Sequence, residues 1–288
     1  YQITEKISLF GDLQLRNVHY KADSWETGEV NDNFNFFNPK AGLNYDINAK
    51  NKLYFFFFLA NREPNRTDYE NGSPRPEKLN DFELGWRFKT AKSQLNVNGY
   101  YMRYKDQLVL TGGFDDVGAP IRKNSGDSYR LGLEVDAILK LSKKWTIAPN
   151  FTISSNKNVD FISDVNGTLT NLGNTNIAYS PEFIAGNMLT FAPITPLRLS
   201  LLSKFVSDQY MNNIDDASGK LKDYFVNDFN ASYEIATKSV FKSIAVNLLV
   251  NNIFNVDYVS NGADYGGGYV YYYPQAGANF LVGLTLTF

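Results

Sequence analysis

Apolar and polar positions alternate along much of the chain with period two, the repeat of a strand whose successive side chains point to opposite faces. Ile7, Leu9, Gly11, Leu13 and Leu15 share one face, against Ser8, Phe10, Asp12, Gln14 and Arg16 on the other. From Tyr129 the pattern sharpens: Tyr129, Leu131, Leu133, Val135, Ala137, Leu139 and Leu141 keep one face free of charge over seven consecutive positions. Phe82, Leu84, Trp86 and Phe88 alternate with Glu83, Gly85 and Arg87, and Ile244, Val246, Leu248 and Val250 with Ala245, Asn247, Leu249 and Asn251. The last stretch sets Phe280, Val282, Leu284, Leu286 and Phe288 on a single side. Twelve strands are predicted in all, near 4–17, 39–47, 52–62, 80–89, 94–109, 128–141, 145–156, 181–192, 197–210, 224–236, 243–254 and 276–288.

Their connections alternate in length. Short turns at Asp46–Lys52, Lys89–Ser93, Leu141–Lys144, Ala192–Pro196 and Thr237–Lys242 interleave with long polar loops at 18–38, 63–79, 110–127, 157–180, 211–223 and 255–275. An even number of strands of about ten residues or more, with short turns at one end and long loops at the other, predicts an all-β, antiparallel transmembrane β-barrel whose apolar faces meet lipid. A soluble sandwich also alternates, but its strands are usually nearer five or six residues.

Composition narrows the chemistry. No apolar run approaches the roughly 18 residues a membrane-spanning helix needs, and the longest is Leu53–Ala60. The 28 Lys+Arg and 30 Asp+Glu leave a net charge of −2, with no global field favouring nucleic acid. There is no cysteine, which excludes disulfides and thiol nucleophiles, and the single histidine removes multi-histidine metal sites. Aromatics make up 15% of the chain although its mean hydropathy is −0.32, an unusual pairing. The opening residues YQITEKISLF lack the charged start, apolar centre and cleavage site of a secretory signal.

VNNIFNVDYVSNG (Val250–Gly262) and YYPQAGANFLVGLTLTF (Tyr272–Phe288) resemble the C-terminal end of TonB-dependent outer-membrane receptors. NREPNRTDYENGSPRPEKLNDFELGWRF (Asn61–Phe88) and YYMRYKDQLVLTGGFDDVG (Tyr100–Gly118) are similar to the same family, so the resemblance spans essentially the whole chain. It implies a barrel of twenty-two strands threaded by an N-terminal plug. Strand alternation begins within the first residues here, so residues 1–288 are expected to be a barrel segment without the plug, the first strands or the TonB box. The implied function is energy-coupled uptake, in the outer membrane of a Gram-negative bacterium, with lipid, the plug, TonB and the barrel-assembly machinery as partners and no chemistry on the substrate. The REP tripeptide Arg62–Pro64 and the YYPQAGANF stretch look more like ferric-siderophore and iron-complex receptors than glycan importers. A self-contained, passive twelve-strand channel or translocator is the competing reading.

Candidate residues follow from face and composition. Phe280, Val282, Leu284, Leu286 and Phe288 resemble the terminal signal by which such barrels are recognised for insertion. Glu83, Arg87, Arg130, Glu134 and Asp136, read as inward-facing charges on three strands, would contact a plug or an anionic ligand, or form ordinary lumen ion pairs. Arg62, Arg66 and Arg75, in and beside loop 63–79, would present guanidinium groups to a carboxylate or phosphate. Tyr265, Tyr269, Tyr271 and Tyr272, beside the glycines Gly266 to Gly268, suit recognition by stacking. The acidic pairs Asp115–Asp116 and Asp215–Asp216 lack the further oxygen ligands of a calcium loop. His19, read as a loop residue with no serine motif nearby, leaves a barrel phospholipase without support, and neither a catalytic residue nor a cofactor is expected.

Overall fold

In a computed structural model, residues 1–70, 72–114, 118, 120–165, 168–237, 240–266 and 268–288 are described. Twelve long strands pair antiparallel in chain order. The first six are β1 (Ile7–Ser24), β2 (Gly28–Asn48), β3 (Asn51–Arg62), β4 (Glu77–Lys89), β5 (Ser93–Lys105) and β6 (Ser128–Lys140). Then come β7 (Trp145–Asn158), β8 (Phe183–Ile194), β9 (Leu197–Val206), β10 (Tyr224–Ala236), β11 (Ser243–Asn251) and β12 (Asn279–Thr287). The five tight turns fall where the sequence predicts them. Among the described residues no pairing joins β1 to β12.

Register carries the alternation from strand to strand, because residues paired across an antiparallel ladder share a face. One row runs Leu9, Leu43, Phe55, Leu84, Gly99, Leu133, Ile153 and Phe183. A row on the opposite face runs Asp12, Lys40, Phe58, Asp81, Met102, Arg130 and Asn156. Apolar side chains on the first face are left bare, Leu13 at 77% exposure and Leu15 at 83%. A soluble sheet would have to bury them against a second layer.

Glycines on the polar face make room for rings laid flat across the sheet, a device that also favours strand curvature. A Cβ at Gly85 would fall inside the Tyr54 ring, and one at Gly132 would strike the Tyr100 hydroxyl. Tyr54 in turn carries the Arg87 guanidinium 4.6 Å from its ring centre and donates to Asn98 at 3.0 Å. Gly85→Ala is therefore expected to cost about 1–3 kcal/mol by overpacking. Gly11→Ala, with nothing within 4 Å of the added methyl, should cost far less. Urea unfolding of both variants in detergent checks the contrast.

The largest departure from the sequence reading is at 18–38. That stretch is no loop: β1 and β2 run on, paired up to Ser24 and Gly28, with only Trp25–Thr27 between them. The period stays two but the polarity inverts. Lower on β1 the odd positions Leu9, Leu13 and Leu15 are apolar, whereas above them Asn17, His19 and Lys21 are polar and exposed. The even positions Val18, Tyr20 and Ala22, with Phe34 and Phe36 on β2, become the partly covered side. On this upper part the odd side is open, while the even side is covered, Tyr20 stacking on Tyr69 at 5.1 Å. His19 accordingly lies in a strand, its Nε2 2.8 Å from Asn31 Oδ1.

Smaller corrections occur where predicted strands overran. β5 stops at Lys105 and a separate hairpin, Leu108–Phe114 with Pro120–Asn124, follows. β9 stops at Val206, and Gln209–Tyr210 pairs instead with Lys220–Leu221.

Candidate functional site

Four long connections at the same end of the sheet meet in one cluster: 106–127, 159–182, 207–223 and 252–278. Each carries a short strand pair of its own, except that 159–182 also adds Thr175–Asn176 to the edge of β7. Their junction is Met211-Asn212-Asn213. Met211 is fully buried, and a side chain at Gly262 would collide with its sulfur. Asn213 Oδ1 accepts from the Ala178 amide at 2.9 Å and from Asn158 Nδ2 at 3.3 Å, while its Nδ2 donates to the Leu110 carbonyl at 2.6 Å. Asn212 donates to Asp264 at 2.6 Å. Two adjacent side chains thus tie all four connections together, as buried amides must when each donor and acceptor needs a partner. Tyr179 adds a bond from its hydroxyl to the Gly262 carbonyl at 3.0 Å, and burial first, then the nearby Asp264, pushes its pKa up to about 12. At neutral pH it stays a donor.

Between these connections lies a cavity of about 910 Å³ whose walls include Lys123, Asp127, Asp160, Asn212, Asp264 and Tyr265. Arg75, Lys123 and Asn124 also belong to the wall of a smaller chamber of about 300 Å³, so the two spaces adjoin. A further hollow of about 610 Å³ is lined by Lys220, Asp257, Tyr258 and Tyr272 among others.

The predicted residues are dispersed. Tyr265 reaches the large cavity, with Tyr271 edge-on to it at 5.8 Å. Tyr272 lines the 610 Å³ hollow and donates to the Ser218 carbonyl, while Tyr269 and Tyr271 are mostly exposed. Arg62 and Arg66 are engaged by carboxylates: Arg62 pairs with Glu77 at 3.5 Å, and Arg66 with Glu70 at 2.6 Å and Glu26 at 3.9 Å. Glu63 pairs with Arg16, and Pro64 is fully buried. The REP tripeptide is therefore a knot fastening the end of β3 to its neighbours. Arg75 borders both the large cavity and the smaller chamber while bound to Asp106 at 2.6 Å.

The five charges of the polar face occupy two strands, β4 and β6, rather than three, and β5 separates them. They do not form ion pairs with one another. Arg87 stacks on Tyr54, Arg130 donates to Ser180 at 3.0 Å and Asn156 at 3.4 Å, and Asp136 accepts from Asn96 at 2.8 Å. Sequence reasoning passed over Asp81, which is fully buried on this face with neither carboxylate oxygen hydrogen-bonded.

Asp215 accepts from the Asn176 backbone and side chain, and Asp216 from Ser218, whose hydrogen bonds hold its carboxyl below the usual range. Both serve the loop backbone; Asp115 and Asp116 lie outside the described residues. Asn212 and Asn213 were missed as well. The Asn/Asp run 212–216 is the available signal, because such side chains favour loop backbone partners over ladder bonds.

Phe280, Val282, Leu284 and Leu286 pair with Val250, Leu248, Val246 and Ile244 on the apolar face, and Phe288 ends against the Phe241 ring at 5.0 Å. An antiparallel sheet with one apolar face, one polar face, tight turns at one end and linked loops at the other has the make-up of a transmembrane β-barrel wall. A model of the TonB dependent receptor-like β-barrel family matches residues 1–253, and the chain belongs to that family. No curated protein sequence matches it. Among solved structures it is similar to the siderophore receptor PiuA from Acinetobacter baumannii (17% identity, TM-score 0.73, 98% of this chain and 41% of that one). It is similar also to the ferric yersiniabactin uptake receptor FyuA from Yersinia pestis (16%, 0.70, 98% and 43%). The copper transporter OprC is a third (18%, 0.78, 99% and 45%). The chain thus spans less than half the length of these structures.

Proposed function

We propose that this chain forms wall and outer mouth of a TonB-dependent receptor in a Gram-negative outer membrane, which takes up a scarce ligand such as a ferric siderophore or another iron complex. The observation that carries the reading is the cavity of about 910 Å³ held open by four connections that Asn212 and Asn213 lock together. A rigid, preformed pocket of this size suits capture of a compact metal complex at low concentration. Tyr265 supplies an aromatic wall, and Arg75 and Lys123 supply cations at one side.

Below the mouth, Glu83, Arg87, Arg130, Glu134 and Asp136 would meet the plug, with Asp81 as a further group awaiting a partner. The apolar residues of β12 through Phe288 would be the segment read by the barrel-assembly machinery. TonB would reach the receptor through the plug, and lipid would cover the bare leucines of β1. That no pairing joins β1 to β12 among the described residues supports this over a closed twelve-strand channel, because unpaired backbone groups in lipid each lose several kcal/mol.

Uptake of radiolabelled iron, offered as ferric citrate and as ferric complexes of purified siderophores, tests the reading in cells with and without the gene. Uptake of at least one complex should need both this protein and TonB. Equal uptake of all of them without the gene, or uptake that persists without TonB, would overturn it.

A further inference from the structure

The chamber of about 300 Å³ beside the main cavity is lined by Asp68, Gly72, Ser73, Pro74, Arg75, Arg122, Lys123 and Asn124. Its two sides are built separately and then stitched. On one side the short helix α1 (Arg66–Glu70) starts from Asn65, whose amide donates to Asp68 Oδ2 at 2.8 Å while Asn65 Oδ1 accepts from the Asp68 amide at 3.0 Å. Tyr69 pins this turn to the β1–β2 hairpin through a 2.6 Å bond to Asp32 and a stacked contact with Tyr20. The other side is the strand Pro120–Asn124. Asn124 joins them, accepting from the Arg75 amide at 2.8 Å and donating to the Arg75 carbonyl at 3.0 Å.

The charges around this space are not balanced pair by pair. Arg75 is neutralised by Asp106, but Arg122 and Lys123 have no carboxylate partner among the described residues. Asp68 is only 2% exposed, and its Oδ1 accepts no hydrogen bond at all. A buried carboxylate oxygen without a donor is costly, and Arg122 and Lys123 line the same chamber with no anion beside them among the described residues. One ligand would satisfy both deficits: an anionic group for Arg122 and Lys123, and an N–H donor that meets Asp68 after a small rotation of its carboxyl.

We infer that the chamber is a binding subsite for a small zwitterion, an ammonium group joined over a few bonds to a carboxylate or phosphate. This rests on the reading of the adjoining cavity as the ligand's entrance, and it adds a charge pattern that a purely anionic ligand would not use. The carboxylate form would come from a free amino acid or peptide end, the phosphate form from a headgroup such as ethanolamine phosphate. Isothermal titration of the protein purified from outer membranes separates these sources, using alanylalanine and phosphoethanolamine, each beside its N-acetylated counterpart.

At least one zwitterion should bind, and N-acetylation, which removes the ammonium charge, should weaken it by about tenfold, the worth of one charge-assisted hydrogen bond. Asp68→Asn keeps an acceptor for Asn65 and should erase the difference between the free and acetylated probes. Arg122→Gln with Lys123→Gln should abolish binding of both. If Asp68→Asn does not fold, the acetylation contrast in the unaltered protein still decides. Absence of binding by either zwitterion, or equal binding of the acetylated probes, overturns the inference. Iron uptake that nevertheless depends on the gene and on TonB would leave the receptor reading standing.

Discussion

Replacing Asn213 with alanine is expected to detach connection 106–127 from 207–223 and to loosen 159–182, which Asp215 and Tyr210 still hold, while leaving the wall intact. Its side chain is 5% exposed and makes the only bonds of its kind between the Ala178 amide, the Asn158 amide group and the Leu110 carbonyl among the described residues. Alanine leaves the Ala178 N–H, on a residue itself 5% exposed, without its acceptor. Each buried polar group stranded in this way costs about 1–3 kcal/mol. A local loss of about 3 kcal/mol corresponds to on the order of a hundredfold more frequent opening. Hydrogen exchange should therefore speed up at 108–111, at Ala178 and at 211–213, with the Asn176 and Tyr179 amides, held by Asp215 and Tyr210, and amides in the middle of β8 unaffected. Asn212 and its Asp264 bond remain, so 252–278 should stay attached to 207–223. Unchanged exchange in the first three segments would show that the cluster is held by packing around Met211 instead.

The second large effect concerns two adjacent leucines with opposite surroundings. Leu201 shares the apolar face with Leu189 and Phe229, and Leu202 shares the polar face with Met188 and Asp228. An arginine on the lipid side near the bilayer midplane costs about 2–4 kcal/mol, whereas lumen positions tolerate charge. Leu201→Arg should lower stability by that amount, and Leu202→Arg, whose guanidinium has Asp228 on the neighbouring strand, should be close to neutral. Urea unfolding in lipid vesicles, followed by tryptophan fluorescence, distinguishes them. Equal destabilisation by the two would contradict the assignment of faces.

The wall was legible because its environment is two-sided and steady. An apolar face on one side and a polar face on the other repeat the same choice at every second residue, so Tyr129–Leu141 and Phe280–Leu286 announce their faces without any tertiary information. The upper halves of β1 and β2 were not legible as strands for the complementary reason. Asn17, His19, Asn33 and Asn35 face water, so a pattern read with a fixed phase turns into apparent loop.

The candidate site was legible only as composition. Loop 63–79 showed its arginines, but not that Glu77, Glu70 and Glu26 would occupy Arg62 and Arg66 while Arg75 was left at a cavity wall. Arg122 and Lys123 gave no signal, since two basic residues in a polar stretch look like solvated surface.

Strand number, turn positions, the apolar-face set and the family resemblance thus came from the sequence by itself, because each depends on neighbours two residues away or on the next strand in order. The meeting of Leu110, Asn158, Ala178, Asn213 and Asp264 was decided only by tertiary structure. Leu110, Ala178, Asn213 and Asp264 lie on four connections far apart in the chain and Asn158 at the end of β7, and what joins them is the hydrogen-bonding need of buried amides, which no local period records.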